Sequence, residues 1–225
     1  MSHTSIGHVE AVLFDLDGTL ADTAPDLGGA LNRVIEEHGF PPLPAATIRP
    51  HVSRGGRGLT ELGYSHYDLG DDRDAVLARL LELYAARLCV DSALFPGVAE
   101  LLGTLEARAI PWGIVTNKLT YLANPLLEAL ALADRAACIV CGDTAGHPKP
   151  HPAPLLHAAE LVGYPPERCL YVGDDLRDVE AARAAGMPVL AAGYGYLGPE
   201  GDASGWGADG ILERPADLIG CLPRT

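Results

Sequence analysis

The chain has 225 residues, 48% of them hydrophobic and 20% charged, with 30 acidic against 16 basic side chains and a formal net charge of −14. That length buries a sizeable core and fits one large domain, or one domain with a smaller insert. The acidic balance argues against nucleic acid as a partner, because a phosphate backbone needs a basic stripe, and no apolar run is long enough to span a bilayer.

The start, MSHTSIGHVE, has neither a basic n-region nor an apolar h-region. A cytoplasmic protein without a secretory leader is therefore expected. The first strand-like run is Val9–Leu16, apolar until it reaches Asp15, with Asp17, Gly18 and Thr19 just beyond. A helix is predicted over Asp26–His38, with Gly39 past its end. Another is predicted over Asp74–Leu88, where Val76, Leu77, Leu80, Leu81 and Tyr84 share one face. Between them HVSRGGRGL, residues 51–59, reads as loop. No convincing strand interrupts this block, so residues 22–90 are expected to form a separate helical cap, and residues 1–21 with 91–225 the main domain.

After Pro96-Gly97 the positions Val98, Leu101, Leu102 and Leu105 keep helical spacing. The remaining strand-like runs are Trp112–Thr116, Cys138–Cys141, Cys169–Gly173, Val189–Ala192 and Gly210–Leu212. Helices Pro154–Val162 and Leu176–Ala185 lie between them, the second closed by Gly186. Asn124-Pro125 reads as a helix cap followed by proline at the first helical position. Several strands are apolar throughout, as expected when both faces are covered. The alternation predicts an α/β fold with a parallel, doubly wound sheet and right-handed crossovers.

Cys138 and Cys141 form a CxxC, but on a strand residues three apart point to opposite faces, so they read as core hydrophobes. His147, His151 and His157 lie in a proline-rich loop and the helix after it, with solvent or loop-orienting roles expected. Tyr194 to Leu197 and Trp206 read as packing residues.

Open parallel sheets bind ligands beyond the carboxyl ends of their strands. Asp15, Asp17, Thr116, Asp174 and Asp175 all fall at such ends. Carboxylates gathered in one crevice raise each other's pKa, and a hard divalent cation with oxygen ligands relieves that repulsion. The segments DLDGT (15–19), Thr116 in VTN, Lys149 in KPHP and GDDLRD (173–178) resemble, in order and spacing, the four motifs of the haloacid dehalogenase superfamily. The resemblance spans essentially the whole chain and implies a Rossmann-like core with an inserted helical cap of the superfamily's first class.

By this resemblance Asp15 is the nucleophile that forms an aspartyl-phosphate, and Asp17 is the general acid and then the base. Mg²⁺ is held by Asp15, the Asp17 backbone carbonyl and Asp174, with Asp175 and Asp178 ordering its water. Thr116 and Lys149 bind the phosphoryl group, and Asn117 beside Thr116 is a further substrate contact. Asp17 argues for phosphoryl transfer over dehalogenation, because haloacid dehalogenases lack it. In the cap, Arg54, Gly55 and Gly56 are candidate substrate contacts, with Arg54 or Arg57 able to pair with a substrate carboxylate.

The chain looks like the phosphoglycolate phosphatase group. More narrowly, WGIVTNK, VCGDT, KPHPAPLLHA, LYVGDD, AAGYGYLG and WGAD resemble the N-acetylmuramic acid 6-phosphate phosphatases of cell-wall recycling. The substrate implied is a small phosphate ester bearing a carboxylate. A β-phosphoglucomutase-like mutase and a non-catalytic binding protein are the alternatives. Nothing demands a protein partner, and a monomer is the default.

Overall fold

The structure is a computed structural model that describes residues 8–222. The stretch read above for a leader falls mostly in residues 1–7, outside the described residues. In chain order the elements are β1 (Ala11–Phe14), β2 (Ala21–Asp22), α1 (Ala24–Glu37), α2 (Ala45–Ile48), a 3-10 turn (Arg49–Arg54), α3 (Gly55–His66), α4 (Arg73–Ala86) and β3 (Ala93–Leu94). They continue with α5 (Val98–Ala107), β4 (Trp112–Val115), α6 (Thr120–Ala129), β5 (Ile139–Val140), α7 (Ala153–Val162), β6 (Cys169–Gly173), α8 (Leu176–Ala185), β7 (Val189–Ala192), β8 (Gly210–Leu212) and α9 (Leu218–Cys221).

Six strands form one sheet in the order β5-β4-β1-β6-β7-β8, with every neighbouring pair parallel. The two-residue period of a strand divides the core into two halves. Val12, Phe14, Trp112, Ile114, Leu170 and Val172 point to one face of the sheet and join the larger cluster. Ala11, Leu13, Val115, Cys169 and Tyr171 point to the other. Both faces are covered, which is why these strands are apolar without alternation.

The block α1–α4 lies between β2 and β3, which pair antiparallel as Ala21 with Leu94 and Asp22 with Ala93. Leu31, Ile35, Leu59, Leu80 and Tyr84 are all fully buried within the block and join the larger core cluster.

Two segments differ from what their sequence predicts. HVSRGGRGL is not a loop: it makes the 3-10 turn and the first turns of α3. Glycine disfavours helix intrinsically, but here close packing selects it. A Cβ at Gly56 would lie 2.9 Å from Leu81 Cδ2, and one at Gly63 would lie 2.9 Å from Leu69 Cδ1. Asn124-Pro125 does not open a helix either, because Pro125 sits inside α6. The start of that helix is set from outside it: Asp143 accepts from the Thr120 amide at 3.0 Å and from the Thr120 hydroxyl at 2.6 Å.

All five cysteines are unpaired. Cys138 is buried in the smaller cluster, and burial pushes its thiol up to about 11. His147 and His151 are exposed, and the His151 ring accepts from the Ala153 amide at the start of α7. No described helix is long and apolar enough to cross a membrane.

Candidate active site

The three central strands β4, β1 and β6 are neighbours, so their carboxyl ends bring Thr116, Asp15 and Asp174 together. The Asp15 amide donates to Val172 O at 2.9 Å, which ties the residue after β1 to the end of β6. Gly18 then turns the chain at φ +89°. A side chain there would run into the Asp174 carboxylate, so only glycine lets the two segments close.

Lys149 reaches this crevice from the loop before α7. Its ammonium, almost fully buried, lies 2.8 Å from Asp15 Oδ1 and 2.7 Å from Asp178 Oδ1. It also donates to Tyr171 Oη at 2.8 Å and to Val115 O at 2.9 Å. Burial would lower the Lys149 pKa, but Asp15 and Asp178 outweigh it and raise it. The loop is held by Asn117, which donates to Lys149 O at 2.9 Å and accepts from Lys149 N at 2.8 Å. Asn117 thus lines the crevice while its amide orients the lysine backbone. The Thr116 hydroxyl is buried beside it and accepts from the Lys118 amide.

Carboxylate oxygens of Asp15, Asp174 and Asp178 all lie within 4.8 Å of one another. Burial, aided by Asp178 and Asp17 and opposed by Lys149, raises the Asp15 carboxyl to about 7. Burial, with Asp15 and Asp178 adding to it, pushes Asp174 well above the usual carboxylate range. The two Asp178 oxygens already accept hydrogen bonds from Lys149, Tyr171 and the Asp175 amide. Asp175 caps α8 and pairs with Arg177, whose hydrogen bond overcomes burial and lowers the Asp175 pKa.

Asp17 lies outside this triad. Its Oδ1 accepts from the Thr23 hydroxyl at 2.5 Å and pairs with Lys118 at 2.9 Å. Lys118 in turn sits 4.9 Å above the Tyr84 ring on α4. Neither Lys118 nor Thr23 stands out in the sequence. Lys118 lies two residues past Thr116, a spacing that puts it at the same strand end, and that was the available signal.

A cavity of about 380 Å³ lies between this crevice and the helical insert. Arg54, Gly55, Gly56 and Arg57 line it at the start of α3, and Leu27, Val52, Leu77, Leu81, Tyr84, Leu119 and Leu122 form an apolar wall. Two further lining residues bridge insert and sheet. The Ser53 hydroxyl donates to Asp174 at 2.9 Å, and Arg177 donates to Ser53 O at 2.7 Å.

Residues 9–186 match the haloacid dehalogenase-like hydrolase family. The chain belongs to that family. A phosphoglycolate phosphatase of Xanthomonas campestris pv. campestris is 45% identical over 92% of this chain and 94% of its own length. An N-acetylmuramic acid 6-phosphate phosphatase of Pseudomonas putida is 40% identical over 93% of this chain and 94% of its own. Among solved structures, a protein of Haemophilus somnus described as a predicted phosphoglycolate phosphatase superposes with a TM-score of 0.84. It has 28% identity and covers 94% of this chain and 97% of its own. In this haloacid dehalogenase-like hydrolase the matched segment contains the whole Asp15, Asp17, Thr116, Lys149 and Asp174 constellation.

Proposed function

We propose that this hydrolase cleaves a small phosphomonoester through a phosphoryl group carried on Asp15. The observation that supports it most is the 2.8 Å contact between Lys149 and Asp15 Oδ1, in the lining of a cavity built from both sheet and insert. Among the described residues that contact falls on Oδ1, which leaves Oδ2 for phosphorus. Asp15 attacks, a P–O bond forms and the ester P–O bond breaks. Asp17, as general acid, gives a proton to the leaving alkoxide. Asp17 as carboxylate then takes the proton of a water that attacks the same phosphorus, which releases phosphate and restores Asp15. Lys149 and Lys118 face the charge that builds on the phosphoryl oxygens. With Arg54, Arg57 and Arg177 they give this acidic protein a local positive site for an anion.

The donor set fits a hard divalent cation, with Mg²⁺ the reading we adopt: its oxygens converge, and burial disfavours their charge. Asp15, Asp174 and the Asp17 carbonyl would hold it. Asp178, whose oxygens are already bonded, supports from behind. When bound, the cation stabilises negative charge on the transferring phosphoryl group. Block 22–90 acts as the cap that excludes water and selects the leaving group.

For the substrate we favour N-acetylmuramic acid 6-phosphate. A cavity of this size suits a ligand larger than a two-carbon acid, and its apolar wall suits acetyl and lactyl groups while Arg54 or Arg57 takes the carboxylate. The alternative is 2-phosphoglycolate, supported by the name of the 45% identical relative. Phosphate release with Mg²⁺ decides between them. A kcat/KM at least about a hundredfold higher for the sugar, about 2.7 kcal/mol of transition-state binding, is expected. The reverse preference would assign the glycolate.

A further inference from the structure

The loop after β7, GYGYLG (193–198), lies beyond the segment matched to the family, and its two tyrosines were expected only to pack. Its Tyr196 does more. A phenol has one proton to give and two lone pairs, and all three are used at the hinge of the insert. The hydroxyl accepts from the Thr23 amide at 2.8 Å and the Ala24 amide at 3.0 Å, and donates to Asp22 Oδ1 at 3.0 Å. These residues form the outgoing hinge strand β2 and the first turn of α1.

The ring of Tyr196 faces the insert as well. The Arg49 guanidinium lies 4.9 Å from its centroid and binds Asp22 with 3.0 and 2.8 Å bonds to the two oxygens. Phe95, just past the returning strand β3, packs 6.2 Å away. The backbone amide of Tyr196 donates to Asp174 Oδ2 at 3.0 Å. The loop is wedged there by Gly195, where a side chain would strike Asp174 and the Gly18 carbonyl. One residue therefore touches the outgoing hinge strand, the flank of the returning one, a cation of the insert and the carboxylate of the metal site.

We propose that Tyr196 is a positioning residue that couples the hinge of the cap to Asp174, so that what Asp174 binds is felt at residues 22–24. It touches no reacting atom. It acts on Asp174 through its amide, and on Asp17 through the Thr23 segment whose hydroxyl holds that carboxylate. The proposal rests on the reading of Asp174 as a cation ligand. By linkage, an effect of the cation on the hinge requires an equal effect of the hinge on the cation.

The test is amide hydrogen exchange of residues 22–24 in the full chain, with and without Mg²⁺, in the wild type, Tyr196→Phe and Arg49→Gln. Mg²⁺ binding is measured by calorimetry on the same samples. Arg49→Gln is the second variant, because its half-exposed side chain can be lost without stranding buried groups. The wild type should show at least tenfold slower exchange with Mg²⁺, Tyr196→Phe and Arg49→Gln less than twofold, and both variants should bind Mg²⁺ at least threefold more weakly. A merely structural tyrosine would raise exchange equally with and without the cation. If Mg²⁺ binds and exchange at 22–24 does not respond, or responds fully in both variants, the coupling is overturned while the metal reading stands. If Mg²⁺ gives no heat and does not shift Tm, the metal reading fails, and Asp174→Asn takes its place as the perturbation. A tenfold change at 22–24 that Tyr196→Phe abolishes then supports the coupling, and no change overturns it.

Discussion

Lys149 and Asp15 meet at 2.8 Å with the lysine ammonium almost wholly buried, and Asp178 holds the same ammonium at 2.7 Å. The cation is fixed before any substrate arrives. A preorganised charge of this kind needs no rearrangement as transition-state charge develops.

Lys149→Met should therefore lower kcat by about 10²–10³. Lys149→Arg should not restore it, because the pocket made by Asp15, Asp178, Tyr171 and Val115 is built around a compact ammonium. Steady-state phosphate release checks both. Activity in Lys149→Met within tenfold of wild type would remove Lys149 from the chemistry.

Lys118 has the corresponding place beside Asp17. Lys118→Met leaves Asp17 held only by Thr23, and an expected loss of about 10²-fold in kcat/KM follows from a misplaced proton carrier. An unaltered kcat/KM would contradict this.

The carboxylates make stability depend on pH and metal together. Asp15 titrates near 7 in the folded protein against 3.8 in an unfolded chain, and Asp174 shifts the same way. Between those pH values the folded state binds more protons than the unfolded one, so the metal-free protein loses stability as pH rises from about 4 through 7. A cation offsets that loss most where the carboxylates are ionised. Saturating Mg²⁺ should raise Tm by about 5–10 °C at pH 7.5 and by less than half as much at pH 5. Equal gains at the two pH values would count against the acidic triad as the metal site.

Gly18→Ala tests the closure of the two strand ends. It combines a positive φ with a methyl group directed into Asp174, and a cost of about 2–4 kcal/mol in denaturant unfolding is expected. Mg²⁺ affinity and turnover should fall with it. A variant that unfolds and binds Mg²⁺ like the wild type would mean that the turn relaxes freely.

What was legible in the sequence was local. The run that ends at Asp15, the five-residue strand before Asp174 and the helix closed by Gly186 each carry their signal within a few residues. Asp15, Thr116 and Asp174 could be placed because parallel strands bring their carboxyl ends together whatever the intervening chain does, whereas Lys149, in the loop before α7, was placed by its motif alone. Lys118 shares the end of β4, but its partner could not be read there, since its meaning depends on Asp17, 101 residues away. Ser53 and Arg177 pair across 124 residues, and Tyr196 reaches Thr23 across 173. The glycines of α3 misled because their conformational cost is local while the close packing that selects them is not. The start of α6 misled for the same reason: its capping carboxylate, Asp143, comes from another loop.

In the proposed reaction the phosphoryl group passes through Asp15. The direct measurement is a millisecond acid quench of enzyme turning over N-acetylmuramic acid 6-phosphate, with 2-phosphoglycolate run in parallel, followed by borohydride reduction and peptide mass mapping. Reduction converts an aspartyl-phosphate to homoserine, and homoserine is expected at position 15 and at no other aspartate. Turnover with position 15 unmodified, or with homoserine at Asp17 or Asp174 in its place, would contradict it.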